Sequence, residues 1–319
     1  MKSTQTVHCH RCGKPITGEF TKALGRTWHR SCFLCCGCRK PILGSFIRKD
    51  GEGWHPACFQ KAWVPNCAVC NAPLMGACLQ DYWGNLFCES HQDYATCVSC
   101  GRIVCGPLTG GGIRFSDGLT VCHLCTVTGV TDTGRAIQLA GEMRAVLKGM
   151  GLDLFQAETP VRLVDRGDLH SKSRHNFHAE HPLLGLAVWS TSLVGKRVVS
   201  RDFQEILIQS HLSEDHFRTV VLHELGHAWV FYNNPLGRTI PLQVEEGFCV
   251  LLEYLWLKKQ GTKDARYRMS LIEGSQDPVY GVGFQGALRA LKRLPLPVLA
   301  RYILEKRRFP SALGAFFYH

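Results

Sequence analysis

The stretch "HRSCFLCCGC" at residues 29–38 ends one metal-ligand pattern and begins another. The first pattern is Cys9-x2-Cys12-x16-His29-x2-Cys32, and the second is Cys35-x2-Cys38-x16-His55-x2-Cys58. A two-residue spacing puts two side chains on one tight turn, and two such turns can close a tetrahedron of ligands around zinc. We therefore expect two structural zinc sites here, linked through the two residues between Cys32 and Cys35.

This arrangement resembles a LIM domain, down to the tryptophans that directly precede His29 and His55. The resemblance implies a LIM zinc-binding domain over residues 1–62. A second unit over residues 63–128 is LIM-like, because five residues separate its two sites and its second site is all cysteine. Its expected ligands are Cys67, Cys70, Cys88 and His91 for one zinc ion, and Cys97, Cys100, Cys122 and Cys125 for the other. His123, inside the last pair, is a competing ligand.

Cysteine is concentrated in this part of the chain, since sixteen of the seventeen cysteines lie between Cys9 and Cys125. The N-terminal residues contain no apolar run typical of a signal peptide, and no stretch of about 18 apolar residues could span a membrane. We therefore expect a cytoplasmic, reducing compartment, where clustered cysteines bind zinc in preference to forming disulfides. The remaining cysteines are expected as small buried side chains: Cys36, Cys78, Cys105 and Cys249.

The formal net charge of +11 raises the question of nucleic-acid binding. Residues 1–130 carry 13 Lys and Arg against 7 Asp and Glu, but thirteen thiolates bound to four Zn²⁺ would bring this part close to neutrality. The basic residues of the remainder are scattered, so neither nucleic acid nor a membrane is expected as a partner. Zinc modules of about 60 residues have little core and are held together by their metal, and they generally present surfaces to other proteins.

Beyond a Thr- and Gly-rich link at residues 126–134, the pattern becomes that of an ordinary globular domain, which we place at residues 129–319. Residues 135–151 have the periodicity of a helix, with the buried face Ile137, Ala140, Met143, Val146 and Leu147. "VRLVD" (161–165), "GLAVWS" (185–190) and "EILIQS" (205–210) are predicted strands, and the last is the candidate edge strand for an extended substrate. The expected fold class is α+β, with a mixed sheet and an active-site helix following the zinc modules.

The next predicted helix starts near Ser213 and carries "VVLHELGHAWV" at residues 220–230. His223 and His227 are four residues apart, so both imidazoles leave one face of the helix and can share a metal ion. Glu224 lies next to the first histidine, where it can reach a metal-bound water but not easily the metal. Gly226 costs about 1 kcal/mol of helix propensity, which the close approach of another backbone would explain. The motif alone also arises by chance, so a third ligand has to decide the matter.

Glu246 stands 18 residues after His227. HExxH-x18-E is the spacing of the gluzincin zinc peptidases, and "EEGFCVLLE" resembles their "NEGF…E" stretch. The resemblance implies that Glu246 is the third zinc ligand and that Glu253 orients a ligand histidine, with Glu245 as the competing ligand. Two histidines and a carboxylate leave one zinc position for water, whose proton Glu224 takes as the water attacks a peptide carbonyl.

The zinc modules together with "HELGHAW", "EEGFC" and "DPVYGVGF" resemble the LIM-domain peptidases known from plants as ubiquitin-activated regulators of organ growth. Tyr280 in the last of these stretches is the candidate donor to the oxyanion. The ubiquitin-interacting helices of that family precede the LIM domain, and Cys9 leaves no room for them, so ubiquitin is expected as a partner by resemblance only.

The expected function is therefore a zinc metallopeptidase that acts on protein substrates, with one catalytic and about four structural Zn²⁺ and with zinc modules for protein recognition or regulation. An endopeptidase is favoured, because no residue evidently captures the N-terminus of a substrate. The alternative is a LIM protein-interaction scaffold with a latent or inactive peptidase domain.

Overall fold

The computed structural model describes residues 6–155, 157–172, 182–195, 197–311, 314, 316 and 318. The chain divides into two compact units, residues 1–93 and residues 94–319, which we call the N-terminal unit and the C-terminal unit. The boundary lies inside the predicted module of residues 63–128, between its two sets of metal ligands. The first half of that module therefore belongs to the N-terminal unit, and the second half belongs to the C-terminal unit.

The N-terminal unit is built from short antiparallel hairpins. The hairpins pair β1 (Phe20–Ala23) with β2 (Arg26–His29), β3 (Ile47–Lys49) with β4 (Glu52–Trp54), and β5 (Leu79–Gln80) with β6 (Leu86–Phe87). Helix α1 (Pro56–Trp63) follows β4, and a short 3-10 turn covers Glu89–His91. Its largest cluster of buried apolar residues among those described is small, namely Ala23, Phe33, Cys35 and Ile42. So small a core agrees with a module that depends on its metals for stability.

Four groups of ligands form along the chain, and we name them in order. The first cluster is Cys9, Cys12, His29 and Cys32, the second is Cys35, Cys38, His55 and Cys58, the third is Cys67, Cys70, Cys88 and His91, and the fourth is Cys97, Cys100, Cys122 and Cys125. The residue after the leading cysteine pair of each cluster is left-handed, with φ of 70° at Gly13, 59° at Arg39, 60° at Asn71 and 70° at Gly101. All four clusters therefore begin with the same type of turn.

The C-terminal unit begins with the fourth cluster and continues as a larger α+β fold. Around the cluster lie α2 (Gly106–Thr109), β7 (Gly112–Arg114), β8 (Thr120–Cys122) and α3 (His123–Thr126). The remaining elements are α4 (Thr133–Gly149), β9 (Val161–Val164), α5 (Arg166–Lys172), β10 (Gly185–Val194), β11 (Arg197–Gln209), α6 (Glu214–Asn233), α7 (Leu242–Gln260), α8 (Lys263–Gly274), α9 (Tyr280–Leu291) and α10 (Leu296–Lys306).

The central sheet has the strand order β10-β11-β9 and is mixed, as expected from the sequence. Strand β10 is antiparallel to β11, and β9 is parallel to β11. The prediction that "EILIQS" forms the edge strand is wrong, because these residues lie in β11 and are paired on both sides. The hairpin with β10 occupies one side of β11, and β9 occupies the other. Among the described strands, the edge next to α6 is β10.

Helix α4 begins as its sequence predicts, but one residue of its predicted buried face is exposed. Asp132 caps the helix by accepting a 2.7 Å hydrogen bond from the backbone N–H of Arg135. The buried residues are Ala136, Leu139, Ala140, Met143 and Leu147. Ile137 is 57% exposed, because the face that packs on α6 is centred one residue away from the predicted stripe.

Helix α6 starts at Glu214, directly after Ser213, as predicted. Glu214 and Asp215 lie in its first turn, where carboxylates interact favourably with the helix dipole. The Arg135 guanidinium donates two 2.6 Å bonds to Glu214, which ties α4 to the start of α6. The helix packs against α4 and α7, so most of its second half is buried. Among the described residues, no helix is both long enough and apolar enough to cross a membrane.

Candidate metal centres

His223, His227 and Glu246 converge at the contact of α6 with α7. The Nε2 atoms of the two histidines are 3.2 Å apart, and Oε2 of Glu246 is 3.1 Å from one and 3.4 Å from the other. Zinc bonds of about 2.0–2.1 Å in a tetrahedron separate ligand atoms by roughly 3.3–3.4 Å. The donor atoms of the three predicted ligands therefore have a spacing that fits a zinc ion.

Two further carboxylates hold the outer nitrogens of these histidines. Glu253 Oε1 lies 2.5 Å from Nδ1 of His223, and Glu245 Oε1 lies 2.9 Å from Nδ1 of His227. An Nδ1–H that donates to a carboxylate leaves the Nε2 lone pair free to bind a metal ion. Glu253 therefore has the orienting contact that the resemblance implied, and Glu245 occupies the same kind of position on the other histidine rather than that of a ligand.

The charge distribution of this group favours a cation. Burial opposes protonation of His223, but the Glu246 and Glu253 carboxylates outweigh it and raise the pKa of this imidazole well above its ordinary value. Burial likewise opposes ionisation of Glu246, yet the two neighbouring imidazoles hold the pKa of its carboxyl well below the usual range. Buried charges of this kind persist only when they are paired or bind a metal ion. The site thus attracts positive charge, which a bound metal ion could supply.

Glu224 is buried next to these ligands but does not join them. Its Oε2 accepts a 2.7 Å hydrogen bond from the backbone N–H of Ala187 on strand β10. Burial raises the pKa of its carboxyl, and the charges of His223 and His227 act in the opposite direction. A buried carboxyl with a raised pKa beside a metal-ligand group is suited to accepting and returning a proton.

Two glycines allow the helices of the site to approach closely. A Cβ on Gly226 would lie 2.9 Å from Sγ of Cys249 and 3.0 Å from Cδ1 of Leu252, so the close neighbours are side chains of α7, not the backbone expected from the sequence. A Cβ on Gly247 would lie 2.2 Å from the backbone carbon of Gly283 on α9. The glycine after Glu246 therefore lets α9 cross α7 in direct backbone contact.

Cys249 lies beside the two histidines of this centre, in addition to being the small buried side chain that its sequence context predicted. Its Sγ and one ring nitrogen each of His223 and His227 lie within 4.8 Å of one another. Burial raises the pKa of the Cys249 thiol, so the neutral form is favoured in the absence of a metal ion. The signal was its position three residues after Glu246, which places both side chains on one face of α7.

A cavity of about 840 Å³ opens from the histidine site and runs along α6. At one end it is lined by His223, Glu224 and Tyr280, and the residues just before strand β10 line its side. Burial raises the pKa of the Tyr280 phenol, which therefore stays protonated and able to donate a hydrogen bond. At the other end the lining includes Cys97 and Ser99 of the fourth cluster. The predicted oxyanion donor thus lies in the same cavity as the predicted base.

The fourth cluster is part of the wall of this cavity, and all four of its cysteines are buried. Ser99 Oγ lies 3.0 Å from Nδ1 of His216 on α6. Asp117, in the turn between β7 and β8, accepts a 2.7 Å bond from Nε of Arg166 on α5 and a second bond from the same guanidinium. These contacts link the cluster to the larger α+β fold and explain why the compact unit starts at residue 94.

His123 does not join the fourth cluster. It is exposed, and its Nδ1 lies 2.5 Å from the carbonyl oxygen of Gly110. The sulfur atoms of the four cysteines, by contrast, lie within 4.8 Å of one another. Of the remaining cysteines that were expected to be buried, only Cys249 is; Cys78 is exposed, and Cys36 and Cys105 are partly buried.

The first and second clusters repeat one geometry. Nδ1 of His29 faces Sγ of Cys12 at 3.4 Å, and Nδ1 of His55 faces Sγ of Cys38 at 3.3 Å. In both histidines Nε2 lies 3.2 Å from a proline carbonyl oxygen, which fixes the ring so that Nδ1 points into the cluster.

The thiols that open the first three clusters are also prepared for metal binding. Burial opposes their ionisation, but backbone N–H donors outweigh it and lower the pKa of Cys9, Cys35 and Cys67 to about 6. Thiolates are the form of cysteine that binds zinc.

The described residues define an α+β protein with LIM-type zinc-binding modules at its N-terminal end. A LIM domain family model matches residues 9–53, and the DA1-like family model, described as Protein DA1, matches residues 187–271. The LIM prediction for the first module is thereby confirmed. The second match covers the stretch from strand β10 to α8, which includes His223, His227 and Glu246.

Curated plant proteins are similar over most of the chain. Protein DA1 of Arabidopsis thaliana is 27% identical over 95% of this chain, and Protein DA1-related 2 of the same plant is 28% identical over 83%. LIM domain-containing protein HDR3 of Oryza sativa subsp. japonica is 26% identical over 79%. The aligned regions span 68%, 51% and 56% of these relatives, so the chain spans about half to two thirds of their length. These matches support a relation to the plant LIM-domain DA1 family.

Proposed function

We propose that the C-terminal unit is a zinc-dependent peptidase and that it acts on protein substrates as an endopeptidase. The observation that carries this proposal is the convergence of His223, His227 and Glu246 at separations of 3.1–3.4 Å, next to a cavity of about 840 Å³ whose lining includes His223 and Glu224. A zinc ion with four protein ligands has no open coordination position and is typical of a structural site. Three protein ligands beside a cavity leave the fourth position open to water or a substrate.

The residues around the metal ligands have separable roles in this proposal. A zinc ion, when bound, supplies Lewis acidity that polarises a peptide carbonyl and lowers the pKa of water. Glu224 accepts the proton of the attacking water and later returns it to the leaving amine. The hydrogen bond from Ala187 N–H holds one oxygen of Glu224, so the carboxylate is fixed toward the cavity. Tyr280 donates its phenol O–H to the oxygen that becomes negative.

Strand β10 is the candidate site for the backbone of an extended peptide. It is the edge of the sheet nearest to α6 among the described strands, and the residues that precede it, Leu183 and Leu184, line the cavity. An edge strand offers unpaired backbone groups in a regular row, which bind main chain irrespective of its sequence. Such binding needs no free N-terminus and agrees with cleavage inside a chain.

The zinc modules are proposed to serve protein recognition or regulation, with four structural Zn²⁺ in the four clusters. Protein partners are the expected ligands, because LIM domains generally mediate protein interactions. Ubiquitin enters as a partner through the family resemblance alone, and the cytoplasm is proposed as the compartment. Nucleic acid and membranes are not proposed as partners.

The test compares Glu224→Gln and His223→Ala with the wild type in zinc content and in cleavage of a denatured protein, read by mass spectrometry of the products. We expect the wild type to bind five zinc ions per chain and to cleave the substrate. Glu224→Gln should also bind five zinc ions, but its cleavage rate should fall by at least about a hundredfold. His223→Ala should bind four zinc ions and show no cleavage. A wild type with four zinc ions and no cleavage supports the scaffold alternative. Unchanged cleavage by Glu224→Gln contradicts the assignment of the base.

A further inference from the structure

Arg268 is a buried cation for which the site described so far has no use. It lies on α8, is 7% exposed, and is among the residues that line the cavity. Its Nε has no hydrogen-bond partner in the described part of the chain, and Nη2 makes one long bond of 3.5 Å to Oγ of Ser213. A buried guanidinium without an anionic partner destabilises the fold, and natural proteins retain such a group where another group or a ligand neutralises it.

The acidic groups nearby do not complete it. Asp215 and Asp264 are close enough to influence Arg268, but neither forms an ion pair with it in the described residues, and Asp215 pairs with Arg218 at 3.2 Å. The neighbouring His216 adds no charge, because burial lowers the pKa of its imidazole well below its ordinary value. Among the described residues, the cavity therefore contains a donor for an anion without a carboxylate that pairs with it.

Compensation for the fourth cluster is the competing role for Arg268. Four thiolates on one zinc ion carry a net negative charge, and Cys125 is close enough to influence the guanidinium. However, none of the hydrogen bonds found among the described residues joins Arg268 to a cysteine sulfur. A partner for the thiolates would be expected to donate N–H directly to sulfur, whereas Arg268 is one of the residues that line the cavity.

We propose that Arg268 forms an anion-binding subsite of the cavity, which takes the carboxylate of an aspartate or glutamate side chain of the peptide substrate. This inference rests on the proposed peptidase function and names a substrate class for it. A guanidinium presents two parallel N–H donors that match the two oxygens of a carboxylate, and such bidentate pairs are selective for planar anions.

The position of the subsite along the cavity follows from helix geometry. Ser213 and His216, which neighbour Arg268, precede His223 on the α6 segment by ten and seven residues. At about 1.5 Å per residue this is roughly 10–15 Å along the helix. An extended peptide advances about 3.3 Å per residue, so the acidic side chain lies about three to four residues from the bond that is cleaved.

The experiment uses peptide pairs that differ only by Glu or Gln at one position, scanned over four residues on each side of the cleaved bond. For the wild type we expect kcat/KM to favour the Glu peptide by at least about tenfold at one position, and Arg268→Gln to bring this ratio to about one. Arg268→Lys, which keeps the charge but not the fork of donors, should retain part of the preference. Arg266→Gln is the matched control on the exposed side of α8 and should keep the full ratio.

Binding to the Glu224→Gln protein separates this inference from the proposed function. Its affinity for the Glu and Gln peptides, measured calorimetrically, reports the subsite even when no peptide is cleaved. If the wild type cleaves no peptide but binding still favours the Glu peptide, only the proposed peptidase function is contradicted. Equal binding of both peptides, or a preference that survives Arg268→Gln, overturns the subsite. Loss of one zinc ion from Arg268→Gln with no preference in the wild type assigns the residue to the fourth cluster instead.

Discussion

The first and fourth clusters have the same leading turn but different surroundings. Both place two cysteines two residues apart, followed by a glycine with φ of 70°. In the first cluster only Cys9 is buried, and a Cβ on Gly13 would meet no other described residue within 4 Å. In the fourth cluster all four cysteines are buried, and a Cβ on Gly101 would lie 1.9 Å from the Tyr267 hydroxyl oxygen. One local motif thus serves as a separate module in one place and as part of a larger core in the other.

This difference matters for function because of where the fourth cluster lies. Cys97, Ser99 and Gly101 line the cavity that also contains His223 and Glu224. Loss of the fourth cluster should therefore alter the structure around His223 and Glu224. Loss of the first cluster should leave the structure of the C-terminal unit unchanged.

The largest expected effect comes from removing the second cysteine of each leading pair. Cys12→Ser and Cys100→Ser should each lose one zinc ion. Structural zinc contributes about 10–16 kcal/mol of apparent folding free energy in zinc-finger peptides, comparable with the whole stability of a domain. We expect Cys100→Ser to remove hydrogen-exchange protection from α6 and to abolish the proposed proteolysis, and Cys12→Ser to leave α6 protected.

The measurement is hydrogen exchange by mass spectrometry on both variants of the 319-residue chain, with zinc content determined on the same samples. Equal loss of α6 protection in the two variants would show that the clusters do not differ in the way proposed. Preserved protection in both would mean that the fourth cluster is a separate module after all.

The contrast between the clusters also marks the limit of what the sequence could predict. Ligand spacing is local, so the four clusters, the histidine pair on α6 and Glu246, the proposed third ligand eighteen residues later, could be found without a structure. The contact of Ser99 with His216 joins residues 117 positions apart, and that of Asp117 with Arg166 joins residues 49 apart. No periodicity encodes such pairs, because each side chain alone is typical of a polar surface.

The same reasoning accounts for one error and one alternative that the sequence left open within the C-terminal unit. "EILIQS" has the composition of any strand, and only the pairing of β11 with both β10 and β9 decides that it is central. Glu245 and Glu246 are adjacent in sequence, and their different contacts depend on how α7 is rotated against α6.

An intermediate effect is expected from the contact that joins the fourth cluster to the sheet. Arg166 is buried and donates to Asp117, to the carbonyl oxygen of Leu183 and to Gln209 Oε1 at 3.2 Å. Arg166→Gln removes the charged donor from the buried Leu183 carbonyl and Gln209 side chain, and an unsatisfied buried acceptor costs about 1–3 kcal/mol. Loss of the ion pair adds little, because Asp117 is exposed. We expect the urea midpoint to fall accordingly.

Arg162→Gln is the matched control for Arg166→Gln. Arg162 also forms a two-bond ion pair, with Glu205 at 2.8 and 3.0 Å, but its side chain is 46% exposed. Exposed pairs contribute about 0–1 kcal/mol, so this variant should unfold close to the wild type. Similar losses in both variants would mean that the burial of Arg166 is not what anchors the cluster.

The smallest expected effect isolates the packing of the turn itself. Asparagine tolerates the left-handed conformation, and Asn71 already occupies this position in the third cluster with φ of 60°. Gly13→Asn should therefore change the free energy of unfolding by less than about 0.5 kcal/mol. Gly101→Asn has the same backbone requirement but displaces Tyr267, so it should cost about 1–3 kcal/mol. Because strain is matched, the difference between the two thermal or urea transitions measures the contact with α8, and equal transitions would show that Tyr267 moves away without cost.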